Sequence, residues 1–405
     1  MPAHRVAVTG LGLVTPAGIG VTETWERILD AEPTAAHDPE LADNPVTISC
    51  RVPGFDGGAL LGRRARKMDR FTQFAVVAAT EALADAGLDP ARWDGARVAV
   101  VLGNADGGFA TVEQQHSVLT QQGAGFVSAL LLPMQLSNML AGQLSLQFGA
   151  TGPSFCVATA CASGTTAIGL ACDLLRLDRC DVVITGGSEA LVTPLIMAGF
   201  ARMGALSRRA GDPREAMRPF EVERDGFVGA EGAGILVLER LADARARGAG
   251  IRATVDGTGH SADAHHLTAP DPEGRGLERA IRAALADADA GAGDIDHVNA
   301  HGTATPLGDL AESRAVERVL RSRPLVSSTK GVTGHMLGAA GAVEAALTVL
   351  AVQHGVVPPT ANLDRQDPEV EVEVATKPVH RRLDAALSLS AGFGGQNAAV
   401  LVRAI

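Results

Sequence analysis

ACASGTTAIGLACDLL, residues 160–175, follows a strand-like run and continues as a helix-like stretch of small residues. The same description fits GHMLGAAGAVEAALTVL at residues 334–350, which also follows a strand-like run. Each stretch places a reactive side chain, Cys161 or His335, at the turn between strand and helix. Small residues allow helices to approach closely, so the two helices could pack together near the core. The likeness is either a coincidence in a chain rich in Ala and Gly, or the mark of a duplicated α/β unit whose two turns face each other.

Strand-like and helix-like segments alternate along the rest of the chain, which indicates an α/β fold with helices covering sheets. Strands are predicted at residues 5–12, 97–104, 154–160, 181–187, 232–241, 251–259, 295–298, 325–327, 386–390 and 398–403. Helices are predicted at residues 72–87, 134–147, 162–177, 274–289, 308–320 and 338–354. The charged, Gly-rich segment 242–250 has the composition of a junction, so we expect one half at residues 1–245 and a second at 246–405.

The composition is that of an ordered globular protein. The chain of 405 residues, 46% hydrophobic and 20% charged, can bury two or three domain-sized cores or one large fused unit. A net charge of −11 argues against a nucleic-acid partner, and the lack of an apolar run of 18 residues argues against a membrane span. The first residues lack the apolar region of a signal peptide. Five cysteines without a CxxC pair fit a reducing compartment, so we expect a cytoplasmic protein.

Three side chains that can carry chemistry each follow the end of a predicted strand. They are Cys161, His301 in VNAHGTATPLGD, and His335. Catalytic groups in α/β folds gather at the carboxyl ends of strands. A helix N-terminus and adjacent imidazoles should activate the thiol of Cys161, although a buried cysteine is often only a small hydrophobe. The glycine turn SAGFGGQNAAV at 390–400 could supply a backbone N–H to a developing oxyanion, so the set indicates thioester chemistry.

A metal site is the alternative use of histidine in this chain. His260, His265 and His266 lie together in GTGHSADAHH. No carboxylate and histidine set at ligand spacing completes this group, and the cysteine spacing does not fit zinc. We therefore expect no bound metal.

The motifs, in their order along the chain, resemble those of the β-ketoacyl-acyl-carrier-protein synthases, the elongating condensing enzymes of the thiolase superfamily. The resemblance covers essentially the whole chain. It implies a thiolase-like, five-layered αβαβα fold made of two duplicated halves, in an enzyme that is usually an obligate dimer. The motifs that carry it are TACASG (159–164), NAHGTATPLGD (299–309), SSTKGVTGHMLGAAGAVE (327–344) and GFGGQN (392–397).

The resemblance also implies roles for individual residues. Cys161 matches the acyl-accepting nucleophile, and His301 and His335 match the pair that promotes malonyl decarboxylation and stabilises the enolate. Lys330 and Glu344 match a buried ionic pair behind the histidines. Thr303 and Thr305 match positions that contact the phosphopantetheine arm of the carrier protein. Phe393 matches a gating residue whose N–H joins that of Cys161 in the oxyanion hole.

The implied reaction joins an acyl chain to malonyl-carrier protein with loss of carbon dioxide, giving a 3-oxoacyl chain two carbons longer. It needs no metal or nicotinamide, and the phosphopantetheine arrives on the carrier protein rather than as a bound cofactor. The C-terminal motif has no second cysteine, unlike degradative thiolases, and Cys161 is present, unlike in inactive chain-length factors. The implied partners are an acyl carrier protein and either a second copy of the chain or a chain-length-factor-like homologue.

Some positions depart from the pattern of the family. Ala391 stands two residues before Phe393, and residues 129–131 precede Pro133 without the aromatic or proline-rich character that is frequent there. These changes at the pocket wall favour a dedicated polyketide pathway over fatty-acid elongation, and both stay open. Gln396 replaces the threonine that is more common in the family at this position. Met134 is expected on the dimer side of the acyl tunnel.

Two basic islands stand out on this acidic protein, RRARK at 63–67 and the arginines at 202, 208, 209 and 214. Each island could be solvated surface or a docking patch for an acidic partner. Carrier proteins are acidic, so the resemblance makes five residues docking candidates: Arg63, Arg64, Lys67, Arg202 and Arg208. Two other functions remain open, a non-catalytic partner that shapes a shared pocket and a cysteine hydrolase.

Overall fold

The computed structural model describes residues 5–405 and is built around one continuous mixed sheet. Its main strands are β1 (Val6–Thr15), β2 (Val98–Gly103), β3 (Ser154–Val157), β4 (Val182–Glu189), β5 (Gly232–Arg240), β6 (Ala253–Ala262), β7 (His297–Asn299), β8 (Leu325–Ser327), β9 (Ala385–Gly392) and β10 (Gln396–Arg403). Two-residue strands lie outside this path at Gly18–Ile19, Ala36–His37, Ile48–Ser49, Val356–Val357 and Val379–His380.

The strand order repeats in the two halves of the sheet. The order across the sheet is β8-β7-β9-β10-β6-β1-β5-β4-β2-β3. Each half contributes five strands, which read β3-β2-β4-β5-β1 and β8-β7-β9-β10-β6 from the outer edge inward. If the strands of each half are numbered 1 to 5 in chain order, both halves have the order 3-2-4-5-1. Counted from the outer edge, the first three strands of each half run parallel to one another, and the fourth pairs antiparallel with both the third and the fifth. The halves meet where Val6–Val8 of β1 pairs with Ala253–Val255 of β6. This repeat confirms the expected duplicated α/β fold.

Helices lie on both sides of each half-sheet and between the two. They are α1 (Val21–Leu29), α2 (Gly57–Leu61), α3 (Arg70–Asp85), α4 (Phe109–Gln122), α5 (Leu131–Gln135), α6 (Met139–Phe148), α7 (Ser163–Arg176), α8 (Pro194–Met203), α9 (Leu241–Ala246), α10 (Arg275–Asp287), α11 (Pro306–Val319), α12 (Lys330–Thr333) and α13 (Ala340–His354). Helix α3 covers the first half-sheet, α10 covers the second, and α7 and α13 contact each other and both half-sheets. This arrangement gives the five layers αβαβα.

Small residues allow the close contact between α7 and α13. A Cβ atom on Gly164 would lie 2.8 Å from the backbone nitrogen of Ala342, and one on Gly341 would lie 2.0 Å from Oγ1 of Thr165. Close-packed interiors do not accommodate atoms that near to each other. The stretch Leu337–His354 is long and apolar enough to cross a membrane, yet 89% of it is buried inside the protein, as befits a central core helix. The predicted contact between the two helices is confirmed, and it brings the turns before them together.

Two local predictions were wrong, and a third is untested. The helix predicted at 134–147 is two helices, α5 and α6, because Leu136 leaves the helical conformation for an extended one (ψ 129°) and Ser137 and Asn138 follow. The predicted strand at 154–160 ends at Val157 because the chain turns sharply before Cys161. The segment predicted as a junction begins with α9, so the division between residues 245 and 246 falls at the end of a helix and stays a prediction.

Candidate active site

A strained turn places Cys161 at the N-terminus of α7. Ala160 has a left-handed backbone (φ 50°), which costs a residue with a Cβ about 1 to 2 kcal/mol. The hydroxyl of Ser163 holds this conformation, since its oxygen accepts from the Thr159 N–H at 2.9 Å and donates to the Ala160 carbonyl at 2.6 Å. The Cys161 side chain is therefore fixed at the first turn of the helix, and the residue is only 8% exposed.

The second turn brings His335 to the same place. Its backbone N–H donates to the carbonyl of Val228 at 2.8 Å, and its carbonyl accepts from the N–H of Ala230 at 3.0 Å. Gly334 before it has φ 68°, a conformation that glycine adopts without strain. As a result, Nε2 of His335 lies 3.1 Å from Sγ of Cys161, across 174 residues of sequence.

His301 completes the group from the turn after β7. The backbone N–H groups of His301 and Gly302 donate to the two carboxyl oxygens of Glu312 at 2.6 and 2.7 Å, which fixes the turn. The His301 ring lies edge-to-face with that of His335, with ring centroids 5.3 Å apart and an interplanar angle of 84°. The structure thus brings together the three side chains that the sequence singles out.

Lys330 and Glu344 form a buried ion pair behind the histidines. The ammonium nitrogen of Lys330 lies 3.5 Å from Nδ1 of His301. An ammonium group has only donors, so Nδ1 of His301 must be the accepting nitrogen and its proton resides on Nε2. Lys330 therefore sets the tautomer in which His301 can donate from Nε2.

Both imidazoles are neutral. Burial lowers the pKa of His301 well below its usual range, and the charge of Lys330 and the neighbouring His335 lower it further. Burial and the charge of Lys330 do the same to the pKa of His335. Neutral imidazoles can donate hydrogen bonds without bringing a second positive charge into the site.

The thiol differs from the sequence expectation. Burial raises the pKa of the Cys161 thiol to about 12, against the lowering effects of the Lys330 charge and the Phe393 N–H. The cavity is too dry for the helix N-terminus and the nearby imidazoles to produce a resting thiolate. The thiol is therefore protonated at rest, with Nε2 of His335 as its near neighbour.

The glycine turn after β9 packs directly on the Cys161 turn. A Cβ atom on Gly392 would lie 2.5 Å from the carbonyl oxygen of Thr159 and 3.1 Å from the backbone nitrogen of Cys161. The next N–H, that of Phe393, is close enough to the Cys161 sulfur to lower the pKa of the thiol. The oxyanion hole expected from the N–H groups of Cys161 and Phe393 stays a prediction.

Cys161, His301 and His335 open into one cavity of about 180 Å³. Thr303 and Thr305 line it and lie within hydrogen-bond distance of each other, 3.0 Å between their Oγ1 atoms. Phe393 and Ala391 also line it. Met134 lies in α5, half-buried, and is not among the residues that line this cavity in the single chain. Its place on the dimer side of an acyl tunnel stays a prediction.

The five docking candidates are all exposed. Arg63, Arg64 and Lys67 lie on the 3₁₀ segment Gly62–Lys67, where Arg64 contacts the side chain of Gln147. Arg202 lies in the last turn of α8, and the guanidinium of Arg208 donates to the carbonyl of Ala201 in the same helix at 2.8 Å. None of the five lines the cavity.

Sequence reasoning missed three buried carboxyl groups that shape the site. Burial raises the pKa of Glu312 to about 7 and that of Asp309 to about 6, and both accept backbone N–H groups of the turn that carries His301 and its neighbours. Their spacing of three residues at the start of α11 was the available signal, since it places them on one helix face. Glu189 gave no such signal, and burial raises its pKa to about 8.

Family profiles match both halves of the chain. The family described as "Beta-ketoacyl synthase, N-terminal domain" matches residues 3–244, and "Beta-ketoacyl synthase, C-terminal domain" matches residues 252–364. The chain is 42% identical over 404 residues to the 3-oxoacyl-[acyl-carrier-protein] synthase 2 of Synechocystis sp., covering 97% of this chain and 96% of that relative. It is also 42% identical over 416 residues to the protein of the same name from Rhizobium meliloti, covering 99% of each.

Solved structures with the same fold include polyketide ketosynthases. One is a type II polyketide synthase acyl-carrier protein in complex with its ketosynthase bound to the hexaketide, with a TM-score of 0.92, 31% identity and full coverage of both chains. Another is the ishigamide ketosynthase/chain length factor, with a TM-score of 0.92, 32% identity and full coverage of both chains.

Proposed function

The chain belongs to the β-ketoacyl synthase family and is a condensing enzyme, and from that premise we propose that Cys161 carries the acyl chain while His301 and His335 promote malonyl decarboxylation. The observation that carries this proposal is the 3.1 Å contact between Nε2 of His335 and Sγ of Cys161 at the base of one cavity. The reaction is a decarboxylative condensation of malonyl-carrier protein with an acyl-carrier protein, giving a 3-oxoacyl product two carbons longer.

The first half-reaction moves the acyl chain onto the enzyme. The sulfur of Cys161 attacks the thioester carbon, and the negative charge that develops on the carbonyl oxygen lies at the N–H groups of Cys161 and Phe393. The bond to the carrier sulfur breaks, and that sulfur leaves with the proton that the Cys161 thiol gives up.

The second half-reaction forms the new carbon–carbon bond. The carboxylate of malonyl-carrier protein leaves as carbon dioxide, and its bonding electrons pass to the thioester as an enolate. Nε2–H donors of neutral His301 and His335 stabilise the enolate oxygen. The enolate carbon attacks the acyl-Cys161 carbonyl, and the oxyanion hole holds the tetrahedral intermediate. Its collapse breaks the carbon–sulfur bond and releases Cys161 as a thiolate, which takes a proton from solvent to restore the resting thiol. No bound cofactor enters these steps, since the phosphopantetheine arm belongs to the carrier protein.

The test follows carbon dioxide release and 3-oxoacyl product from purified protein with acyl- and malonyl-carrier protein. Cys161→Ala abolishes condensation, because no acyl chain is held. Cys172→Ala, on the same helix α7, keeps it and serves as the matched control. Condensation that persisted in Cys161→Ala would show that another group is the nucleophile.

We propose that an acyl carrier protein docks beside α8. Phe200 of this helix lines the cavity, and exposed Arg202 lies in the last turn of the same helix. Arg208 is held against the same helix, and exposed Leu195 and Met203 add apolar surface. A basic rim with apolar contacts suits an acidic carrier. Arg63, Arg64 and Lys67 are proposed as a second part of the docking surface on the ground of their charge.

A second copy of a thiolase-fold chain is the other proposed partner. Edge strand β3 has a free side with Phe155 exposed, and apolar side chains stay exposed on neighbouring elements at Phe126, Leu132, Leu136 and Leu146. We call this region the α4–α6 face. The two role candidates, a homodimer in fatty-acid elongation and a heterodimer in a polyketide pathway, both use it.

We propose that the enzyme works in the cytoplasm. We also propose that its two halves divide in the connection after β5.

A further inference from the structure

One acidic side chain in the cavity wall has no role in the proposed reaction. Asp106 lies just past the end of β2, and with Ala105 it lines the same cavity as Cys161. Partial burial raises the pKa of Asp106, and no cation or hydrogen-bond donor among residues 5–405 lowers it again. Asp106 is nevertheless exposed in the single chain, so its carboxylate lines the cavity without a protein partner and keeps a side in contact with water.

Asp106 is presented by a rigid turn. Glu189, fully buried, accepts the N–H of Ala105 at 2.6 Å and the side-chain amide of Asn104 at 2.8 Å. The other end of the Asn104 amide accepts the N–H of Gly107 at 2.6 Å, and Gly107 has φ 82°. Hydrogen bonds on both sides of Asp106 therefore fix its backbone, as a preorganised binding group requires.

The turn lies close to the nucleophile. A Cβ atom on Gly103, at the end of β2, would lie 2.2 Å from the carbonyl carbon of Ser163 and 2.4 Å from the nitrogen of Gly164. The end of β2 thus packs on the first turn of the helix that Cys161 precedes. A chain attached to Cys161 therefore lies in the same cavity as Asp106.

Apolar side chains also line this cavity, among them Ala160, Leu191, Phe200, Ala205 and Phe227. A plain alkyl chain in this space would remove water from the carboxylate and give it no partner, which is unfavourable. A hydroxyl or amino group on the chain would replace the lost water. Sites built to hydrogen-bond a substrate group reject the analogue that lacks it.

We propose that Asp106 is a specificity determinant that selects acyl chains bearing a hydrogen-bond donor near the thioester end. This inference rests on the proposed function, since it needs the acyl chain to lie on Cys161. The exposed side of Asp106 lies beside the α4–α6 face, because the N–H of Gly108 donates to the carbonyl of Gln135 in α5 at 2.9 Å. Pairing of two chains there withdraws the carboxylate further from water and strengthens the selection.

The test measures acyl transfer to Cys161 by mass spectrometry of the intact protein. The substrates are carrier-linked chains of equal length, one unsubstituted and the others hydroxylated at successive carbons. At least one hydroxylated chain loads about tenfold faster than the unsubstituted chain, the effect of one hydrogen bond to a charged group. Asp106→Leu reverses this order, and Asp106→Asn, which keeps the size and one acceptor, reduces the preference.

Asp43→Asn removes an exposed carboxylate outside the cavity and keeps the wild-type preference. Equal loading of plain and hydroxylated chains by the wild type would overturn the inference, as would an unchanged preference in Asp106→Leu. If no chain of either kind loads, the acyl-cysteine function itself fails and the inference falls with it. Circular dichroism of each variant confirms that the fold is retained.

Discussion

At the residue scale, the site depends on keeping the imidazole rings of His301 and His335 unprotonated. Lys330 faces Nδ1 of His301 at 3.5 Å, and burial keeps both histidines neutral. The result is a pair of Nε2 donors in a dry cavity, where hydrogen bonds to a developing oxyanion are worth most. The proposed enolate step therefore rests on neutral donors rather than on an acid.

Replacing one imidazole should separate the two half-reactions. His301→Ala lowers carbon dioxide release by about 100- to 1000-fold, the usual effect of losing one oxyanion donor. Transfer of the acyl chain to Cys161 continues at a rate close to that of the wild type, because His301 takes no part in it. Both rates are measured with the same carrier-linked substrates. Equal losses in both would contradict the division of roles.

The neutral histidines also predict a pH profile. The pKa values of His301 and His335 lie well below 6.5 in the folded protein, so acidification through about pH 6.5 does not protonate them. These two rings should therefore add no titration to the rate of decarboxylation between about pH 7.5 and pH 6, where any change belongs to buried carboxyl groups such as Glu312, whose pKa is about 7. A fall with an apparent pKa near 6.5, absent from a His301→Ala or His335→Ala variant, would refute this reading.

At the element scale, the contact between α7 and α13 sets the distance between the two reactive turns. Glycines at this contact have no room for a side chain, whereas Gly142 in α6 has only the Met139 side chain near it, at 3.8 Å. The same substitution should therefore have opposite effects at the two places.

Gly341→Ala drives a methyl group toward Oγ1 of Thr165 and should destabilise the fold by about 1 to 3 kcal/mol. Gly142→Ala should stabilise it by about 0.5 to 1 kcal/mol, because alanine loses less backbone entropy in a helix. Chemical denaturation gives both values. A Gly341→Ala variant as stable as the wild type would mean that the two helices are not tightly packed.

Docking beside α8 is tested by charge reversal. Arg202→Glu combined with Arg208→Glu should raise KM for carrier-bound substrate several-fold, since the acidic carrier meets two repelling charges. The KM for small thioester analogues should not change. Arg382→Glu, an exposed arginine on another part of the surface, is the control. Equal losses on both kinds of substrate would point to damage of the site instead.

At the scale of the whole molecule, two half-sheets with the same strand order enclose one pair of central helices. Duplication puts Cys161 and His335 at equivalent strand-to-helix turns, which explains how residues 174 positions apart meet. The sequence carried this information, because the same small-residue pattern follows both turns.

Other parts of the site could not be predicted in this way. Glu189 meets Asn104 across 85 residues of sequence, and Glu312 holds the His301 turn through backbone atoms. Such contacts depend on tertiary placement and leave no local pattern. The pKa of Cys161 was misjudged for the same reason, since helix position is visible in a sequence and the dryness of a cavity is not.

The α4–α6 face predicts how the molecule assembles. We predict that the wild type sediments as a dimer and that Leu132→Asp combined with Leu136→Asp sediments as a monomer in sedimentation equilibrium, because charge is unfavourable in an apolar interface. Leu177→Asp, exposed at the end of α7, should leave the assembly unchanged. A double variant that remains dimeric would show that the chains pair elsewhere.

The most direct test of the convergence of Cys161, His301 and His335 is mass spectrometry of the protein after incubation with acyl-carrier protein, before and after malonyl-carrier protein is added. We predict an acyl adduct on the peptide that contains Cys161, which disappears on addition of malonyl-carrier protein as 3-oxoacyl product and carbon dioxide form together. An adduct on another residue, or an adduct that is lost to free acid without malonyl-carrier protein, would contradict the account.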